Sequence, residues 1–97
     1  MQTTHFGGIA ITLLGHASVM LEQGGFLVHI DPFVLPREPR KPNLVLHTHK
    51  HFDHCANVEK HERMGVPIVG CGCEHPCRSI RPWEKFASGP VIVQAVD

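Results

Sequence analysis

The stretch that decides the fold is residues 43–54, Asn-Leu-Val-Leu-His-Thr-His-Lys-His-Phe-Asp-His. Its first five residues are typical of a buried strand. His49 and His51 follow two residues apart, so in an extended chain their imidazoles project to the same side. Asp53 and His54 come next, where the chain bends toward a helix. These four nitrogen and oxygen donors suit a borderline divalent ion such as zinc, manganese or iron. The pattern therefore predicts a metal site at the carboxyl end of a strand.

The flanking sequence predicts short strands separated by turns, because proline and glycine together contribute 17 residues. Gln23-Gly24-Gly25 indicates a hairpin, and the composition from Asp53 to Met64 favours a helix that ends at Gly65. That helix makes a β-loop-α-β unit with parallel strands. The segment Cys71–Phe86 favours a short helix or turns. Strands are expected at Ile9–Leu14, Ala17–Glu22, Phe26–Ile30, Asn43–His47, Val66–Gly70 and Val91–Val96.

Length and composition exclude several classes of protein. The chain has 97 residues, 42% of them hydrophobic and 19% charged, which fits one small globular domain. Nine Lys plus Arg balance nine Asp plus Glu, so no basic excess favours nucleic-acid binding. No apolar run approaches the roughly 20 residues that span a bilayer, and the N-terminus does not resemble a signal peptide. We therefore expect a soluble, cytoplasmic protein that binds neither nucleic acid nor membrane.

The four cysteines permit a second interpretation of the metal chemistry. Cys71, Cys73 and Cys77, together with His75, offer three thiolates and an imidazole for zinc. Their Cys-x-Cys spacing is tighter than that of a usual zinc knuckle, which favours reduced, partly buried thiols. Cys55 stands apart, so the cysteines do not form a recognisable disulfide framework.

Other residues near the histidine-rich stretch are weaker candidates for a functional role. His16 lies between two predicted strands, so it is a candidate substrate contact at the mouth of the site or else a turn histidine. His47 shares a strand face with His49 and is expected to pack rather than to bind metal. Lys50 is expected to be solvated, although it could meet an anionic substrate. The loop Pro36–Pro42 carries three positive charges and one negative, which is typical of a surface loop and weakly favours an anionic small-molecule substrate.

The motif His49-Lys-His51-Phe-Asp53-His54 resembles the HxHxDH signature of the metallo-β-lactamase-fold hydrolases. Upstream, Leu14-Gly-His-Ala-Ser-Val19 and Phe26-Leu-Val-His-Ile-Asp-Pro-Phe33 resemble the L-ascorbate-6-phosphate-lactonase-like branch of metal-dependent hydrolases. The resemblance extends from about Ile9 to Val96. It implies an α/β fold, the N-terminal half of an αββα sandwich, in which a mixed sheet is covered by a helix.

The resemblance also implies roles for individual residues. His49 and His51 match ligands of a first metal position, and Asp53 and His54 match ligands of a second, with zinc as the first choice and manganese or iron as alternatives. Asp53 is the catalytic candidate, because it would also orient the bridging hydroxide. Asp31 matches an aspartate that holds a ligand histidine by a hydrogen bond, the alternative being a strand-terminating Asp-Pro turn.

The chain departs from the family pattern at its C-terminal end. The family adds a histidine shortly after a strand like Val91–Val96, then an aspartate and a final histidine, whereas this chain stops at Asp97. We therefore expect residues 1–97 to form a single partial domain. The implied activity is hydrolysis of an ester, lactone or phosphoester by a metal-activated hydroxide. The alternative is a non-catalytic half-domain that at most binds metal. Its apolar strands predict an exposed sheet face that drives self-association.

Overall fold

The computed structural model describes residues 2–15, 18–32, 35, 40–48, 61, 63–70 and 78–96. Within these ranges the strands are β1 Gln2–Phe6, β2 Ile9–Gly15, β3 Ser18–Gln23, β4 Phe26–Ile30, β5 Leu44–His47, β6 Ile68–Gly70, β7 Arg78–Ser79, β8 Lys85–Ser88 and β9 Val91–Gln94. Strands β1 to β7 form one sheet in chain order, and β8 pairs with β9 in a separate two-stranded sheet.

The large sheet is antiparallel in its first half and parallel in its second. Strands β1 to β4 form an antiparallel meander, whereas β4 to β7 run parallel. Gly24 and Gly25 have φ angles of +56° and +82°, so they close β3 onto β4 in a two-residue turn. The predicted hairpin and the predicted parallel pairing of β5 with β6 are both confirmed. The sheet is therefore mixed, as expected.

Alternating side chains give the sheet two apolar faces. On the inner face, Val28, Leu44, Val69 and Ile80 form a buried cluster. The sheet of β8 and β9 covers this cluster through three side chains, Phe86, Val91 and Val93, and Ala95, just after β9, packs against it too. The inner face is therefore the interface between two sheets, which is the arrangement expected of a sandwich.

The outer face carries a second, smaller cluster. Val45 and Ile68 are buried here with Val66, and Met64 packs against them. The helix predicted over Asp53–Met64 lies mostly outside the described residues, so its cover of this face stays a prediction. Its predicted end agrees with the structure, since Gly65 has a φ of +73° and the Met64 and Val66 amides both donate to the carbonyl of His61.

The structure adds strands that the sequence pattern did not predict. β1 lies in the N-terminal segment, where no element was expected. The segment Cys71–Phe86 was expected to form a short helix or turns, but in its described part it contains β7 and the start of β8. No helix within the described ranges is long and apolar enough to cross a membrane.

Candidate metal site

Asp31 directly follows β4 and has a backbone conformation that few residues other than glycine adopt. Its φ is +50°, a left-handed value that aspartate tolerates better than most side chains. The residue is 3% exposed. Its amide donates to the Leu46 carbonyl at 2.8 Å, which continues the parallel pairing of β4 with β5 beyond the last strand residue. The backbone of Asp31 is therefore held in place by β5, in addition to its covalent connection to β4.

The Asp31 side chain reaches the residue that precedes the histidine motif. Its Oδ1 accepts from the backbone N–H of Thr48 at 2.8 Å, and its Oδ2 accepts from the Thr48 hydroxyl at 2.7 Å. We call this pair of hydrogen bonds the Asp31–Thr48 clamp. Because Thr48 immediately precedes His49, the clamp fixes the point at which the chain leaves β5 toward the predicted ligands.

A third segment is tied to the same point. The Ser18 hydroxyl donates to the backbone carbonyl of Asp31 at 2.5 Å, and Ser18 is 1% exposed. Ser18 is the first residue of β3 and follows the Gly15-His16-Ala17 segment in sequence. Asp31 therefore joins the chain just after His16 to the chain just before His49.

The predicted ligands lie outside the described residues. This holds for His49, His51, Asp53 and His54, and also for the candidate substrate contact His16. Cys71, Cys73, His75 and Cys77 lie outside the described ranges too, as does Lys50. The described residues contain no group of three or more His, Cys, Asp or Glu side chains able to hold a metal ion. The ligand assignments stay predictions, as does a hydrogen bond that a ligand histidine would donate to Asp31.

Sequence reasoning missed the burial of two histidines on the outer face. His29 is 3% and His61 is 2% exposed, and their rings meet edge to face with centroids 6.2 Å apart. His47 is 2% exposed at the end of β5, which agrees with its expected packing. The alternation of β4 contained a signal for His29, because positions 27, 29 and 31 share one side of the strand.

The charged loop after β4 contributes an ion pair to the surface. The Arg40 guanidinium binds the Glu22 carboxylate through two hydrogen bonds, 2.8 and 2.9 Å long. The hydrogen bonds and charge of Arg40 lower the pKa of Glu22, and Glu22 in turn raises the pKa of Arg40. One of the loop's three positive charges is thus already neutralised, which weakens the argument from this loop for an anionic substrate.

Comparisons with known proteins identify the family to which the chain is similar. The family model described as "Beta-lactamase superfamily domain" matches residues 10–97. Curated relatives named "UPF0173 metal-dependent hydrolase" include one from Aeropyrum pernix, 42% identical over 57 residues, covering 52% of this chain and 24% of the relative. Another from Methanopyrus kandleri is 43% identical over 68 residues, covering 62% of this chain and 30% of the relative.

Solved structures show the same fold. A crystal structure from Parabacteroides distasonis, assigned to the metal-dependent hydrolases, superposes with a TM-score of 0.77 and 21% identity. The match covers 98% of this chain and 50% of that one. A metallo hydrolase from Ignicoccus hospitalis superposes with a TM-score of 0.59 and 21% identity, covering 81% of this chain and 42% of that one. The chain thus spans half or less of the proteins that it matches.

Proposed function

The chain belongs to the β-lactamase superfamily, and we propose that it carries the first metal-ligand cluster of a metal-dependent hydrolase. In this proposal His49 and His51 bind one divalent ion, and Asp53 and His54 bind a second. The confirmed membership supports the motif assignment, and the names of the curated relatives support dependence on a metal.

The observation that carries the proposal is the Asp31–Thr48 clamp. A metal site needs ligands held in a reproducible geometry, which requires support from residues that do not themselves touch the metal. The clamp supplies that support one residue before His49, from a buried carboxylate bound to both the main chain and the side chain of Thr48. It lies at the carboxyl ends of the parallel strands β4 and β5, where ligand sites of such sheets usually lie.

The donor set fits a divalent transition metal. Three imidazoles and one carboxylate are the ligand types that zinc accepts, with manganese and iron as alternatives. Bound there, such an ion lowers the pKa of water, so that hydroxide becomes available near neutral pH. The carboxylate of Asp53 would orient that nucleophile by accepting its proton in a hydrogen bond. We propose in addition that the substrate is a small molecule and that the bond cleaved is an ester, a lactone or a phosphoester.

The second candidate function is metal binding without turnover. The chain offers four motif donors and spans about a quarter to a third of the curated relatives. An incomplete donor set binds metal more weakly and leaves the attacked group unclamped. Under this alternative the purified chain takes up metal through His49 and His51 but hydrolyses nothing.

Metal uptake and hydrolysis, measured on the same samples, test both candidates. The 97-residue chain is dialysed against zinc or manganese, its metal content is measured by elemental analysis, and it is assayed against a chromogenic ester, a lactone and a phosphodiester. His49→Ala/His51→Ala should lose metal, whereas His5→Ala, which changes an exposed histidine on β1, should retain it. Equal metal content in all three proteins would overturn the ligand assignment, and metal uptake without turnover would favour the second candidate.

A further inference from the structure

The backbone of Asp31 has a conformation that the local sequence does not favour. Its φ of +50° is left-handed, a region that residues other than glycine enter at a steric cost. The next residue is Pro32, and a proline favours an extended backbone in the residue before it. Such a conformation persists only where the surrounding structure holds it, and these conformations are concentrated at functional sites. The contacts that hold Asp31 therefore bear on the site that follows.

Two neighbouring strands hold the peptide groups on either side of the Asp31 Cα. The Asp31 amide donates to the Leu46 carbonyl at 2.8 Å, and the Asp31 carbonyl accepts from the Ser18 hydroxyl at 2.5 Å. Leu46 belongs to β5 and Ser18 to β3, the two strands that flank β4. Because φ and ψ rotate these two peptide groups about the Cα, a hydrogen bond to each of them fixes the direction in which the Asp31 side chain leaves the backbone.

The hydrogen bond from Ser18 lies where the backbone ladder between β3 and β4 stops. That ladder ends with Val19 opposite Ile30, and just beyond this pair the Ser18 side chain makes the connection to Asp31. Ser18 is 1% exposed, so its hydroxyl is shielded from competing water, and a hydrogen bond in such surroundings is stronger than one in solvent. The Ser18 hydroxyl thus continues the link between the two strands at the point where the Asp31 backbone departs from a regular strand.

The backbone conformation of Asp31 decides whether its carboxylate reaches Thr48. The two hydrogen bonds of the Asp31–Thr48 clamp use different carboxylate oxygens, Oδ1 for the Thr48 N–H and Oδ2 for the Thr48 hydroxyl. Since both bonds depend on distance and angle, the pair tolerates little rotation of the Asp31 backbone. At an ordinary negative φ the Cα–Cβ bond points in another direction, and both bonds are lost together. Ser18 therefore acts on Thr48 through Asp31.

We propose that Ser18 is a positioning residue of the metal site. Its hydroxyl holds Asp31 in the left-handed conformation, Asp31 holds Thr48, and Thr48 sets the direction in which the chain enters the motif at His49. The inference rests on the proposed function, because it needs a metal bound by that motif. Residues that orient metal ligands without touching the metal change its affinity by about 10- to 100-fold when they are replaced. Ser18 acts through two further residues, so we expect a change at the lower end, about tenfold.

The zinc affinity and the visible spectrum of the cobalt-substituted chain test Ser18→Ala. This variant should raise the dissociation constant for zinc about tenfold. It should also change the absorption of bound cobalt, which accepts the same kinds of ligand as zinc and reports their geometry. Asn43→Ala is the matched control, because it removes a side chain that accepts from the Leu27 N–H at 2.8 Å, at the opposite end of the same strand pair. It should lower thermal stability but leave the zinc affinity and the cobalt spectrum at their wild-type values.

Double variants separate positioning through Asp31 from a general loss of stability. Ser18→Ala and Thr48→Val act on the same carboxylate contact, so their combined effect on zinc affinity should be smaller than the sum of the two single effects. Asn43→Ala and Thr48→Val act at separate places and should be additive. If Ser18→Ala loses its cooperative thermal transition, Ser18→Cys replaces it, since a thiol of similar size is a much weaker donor.

The outcomes distinguish a failure of this inference from a failure of the proposed function. An unchanged zinc affinity and cobalt spectrum in the Ser18 variant, or changes that Asn43→Ala reproduces, would overturn the inference and leave the proposed function standing. A chain that binds zinc equally well before and after His49→Ala/His51→Ala would overturn the proposed function, and the inference with it.

Discussion

The carboxylate of Asp31 binds Thr48 twice, at 2.8 Å from the backbone N–H and 2.7 Å from the hydroxyl, across 17 residues of chain. The two residues directly follow adjacent parallel strands, so the contact exists only when β4 and β5 are paired in the observed register. Asp31 also has a left-handed backbone, which costs roughly 1 kcal/mol and persists only when the surroundings hold it. The clamp therefore couples the pairing of two strands to the direction of the chain at His49.

Breaking the clamp should weaken metal binding without removing a ligand. Thr48→Val removes the hydroxyl donor and keeps the amide, so we expect a loss of about 1 kcal/mol of stability and a higher dissociation constant for zinc. Thr48→Ser keeps both donors and should restore both quantities. Isothermal titration with zinc and thermal unfolding, measured on the same samples, check this. A zinc affinity that Thr48→Val leaves unchanged, despite lower stability, would show that the clamp is only structural.

The turn between β8 and β9 should not tolerate a side chain. Gly89 has a φ of +53°, and a Cβ placed there would lie 2.6 Å from Cε2 of Phe26. We expect Gly89→Ala to destabilise the chain by about 2–4 kcal/mol, from left-handed strain plus overpacking against the core. Gly24→Ala is the matched control, because Gly24 has a φ of +56° with no atom within 4 Å of the added Cβ.

Chemical denaturation of both variants isolates the contribution of packing. Gly24→Ala should cost only the backbone strain, about 1 kcal/mol, and the difference between the variants measures the clash with Phe26. Phe26→Leu should recover part of the stability that Gly89→Ala loses. Equal losses for the two glycine variants would mean that the hairpin moves freely away from Phe26 and does not seal the inner face.

The sequence predicted the interior strands well because their signals are local. Phe26–Ile30 and the glycine turn before it combine an apolar run with residues that favour left-handed backbone, and the structure agrees in bounds and pairing. β1 was missed because its side chains are all exposed and it is held by pairing with β2. Such a strand has no burial pattern to detect, although Gly7-Gly8 before Ile9 was a turn signal.

In the candidate site, too, the features with a local sequence signal were predictable and the contacts between distant residues were not. The end of β4 at Asp31 was predictable, because an Asp-Pro pair ends strands, and burial of His47 followed from the alternation of β5. The partner of Asp31 was not predictable, since a hydrogen bond between residues 31 and 48 depends on the register of two parallel strands. The contact between His29 and His61 likewise joins a strand to a segment far along the chain, and no local pattern contains that information.

The ion pair between Glu22 and Arg40 should make stability depend on pH in the acidic range. Arg40 lowers the pKa of Glu22 below its ordinary value of about 4.5. The contribution of the ion pair to stability is therefore fully present above the ordinary pKa of Glu22. It is lost as the pH falls through the lowered pKa. Because both side chains are partly exposed, we expect Glu22→Gln to cost less than about 1 kcal/mol at pH 7.

Thermal unfolding of Glu22→Gln and wild type between pH 2 and pH 7 tests whether the ion pair loses its contribution to stability as the pH falls. The two curves should converge at the acidic end, and 1 M salt should narrow the gap at pH 7 because exposed charges are screened. Lys41→Met is the control, since it removes an exposed charge next to Arg40 that makes no ion pair among those described. A gap that widens toward low pH would contradict the assigned direction of the Glu22 pKa shift.

Asp53→Asn should separate the two proposed metal positions. The proposal places Asp53 in the second position with His54, whereas His49 and His51 bind the first. An amide keeps the size of the side chain but removes the negative charge that a divalent ion favours. We therefore expect elemental analysis to show loss of the second ion and retention of the first, with His49→Ala/His51→Ala giving the reverse. If Asp53→Asn instead lowers only thermal stability and keeps the full metal content, Asp53 acts as the N-terminal cap of the predicted helix.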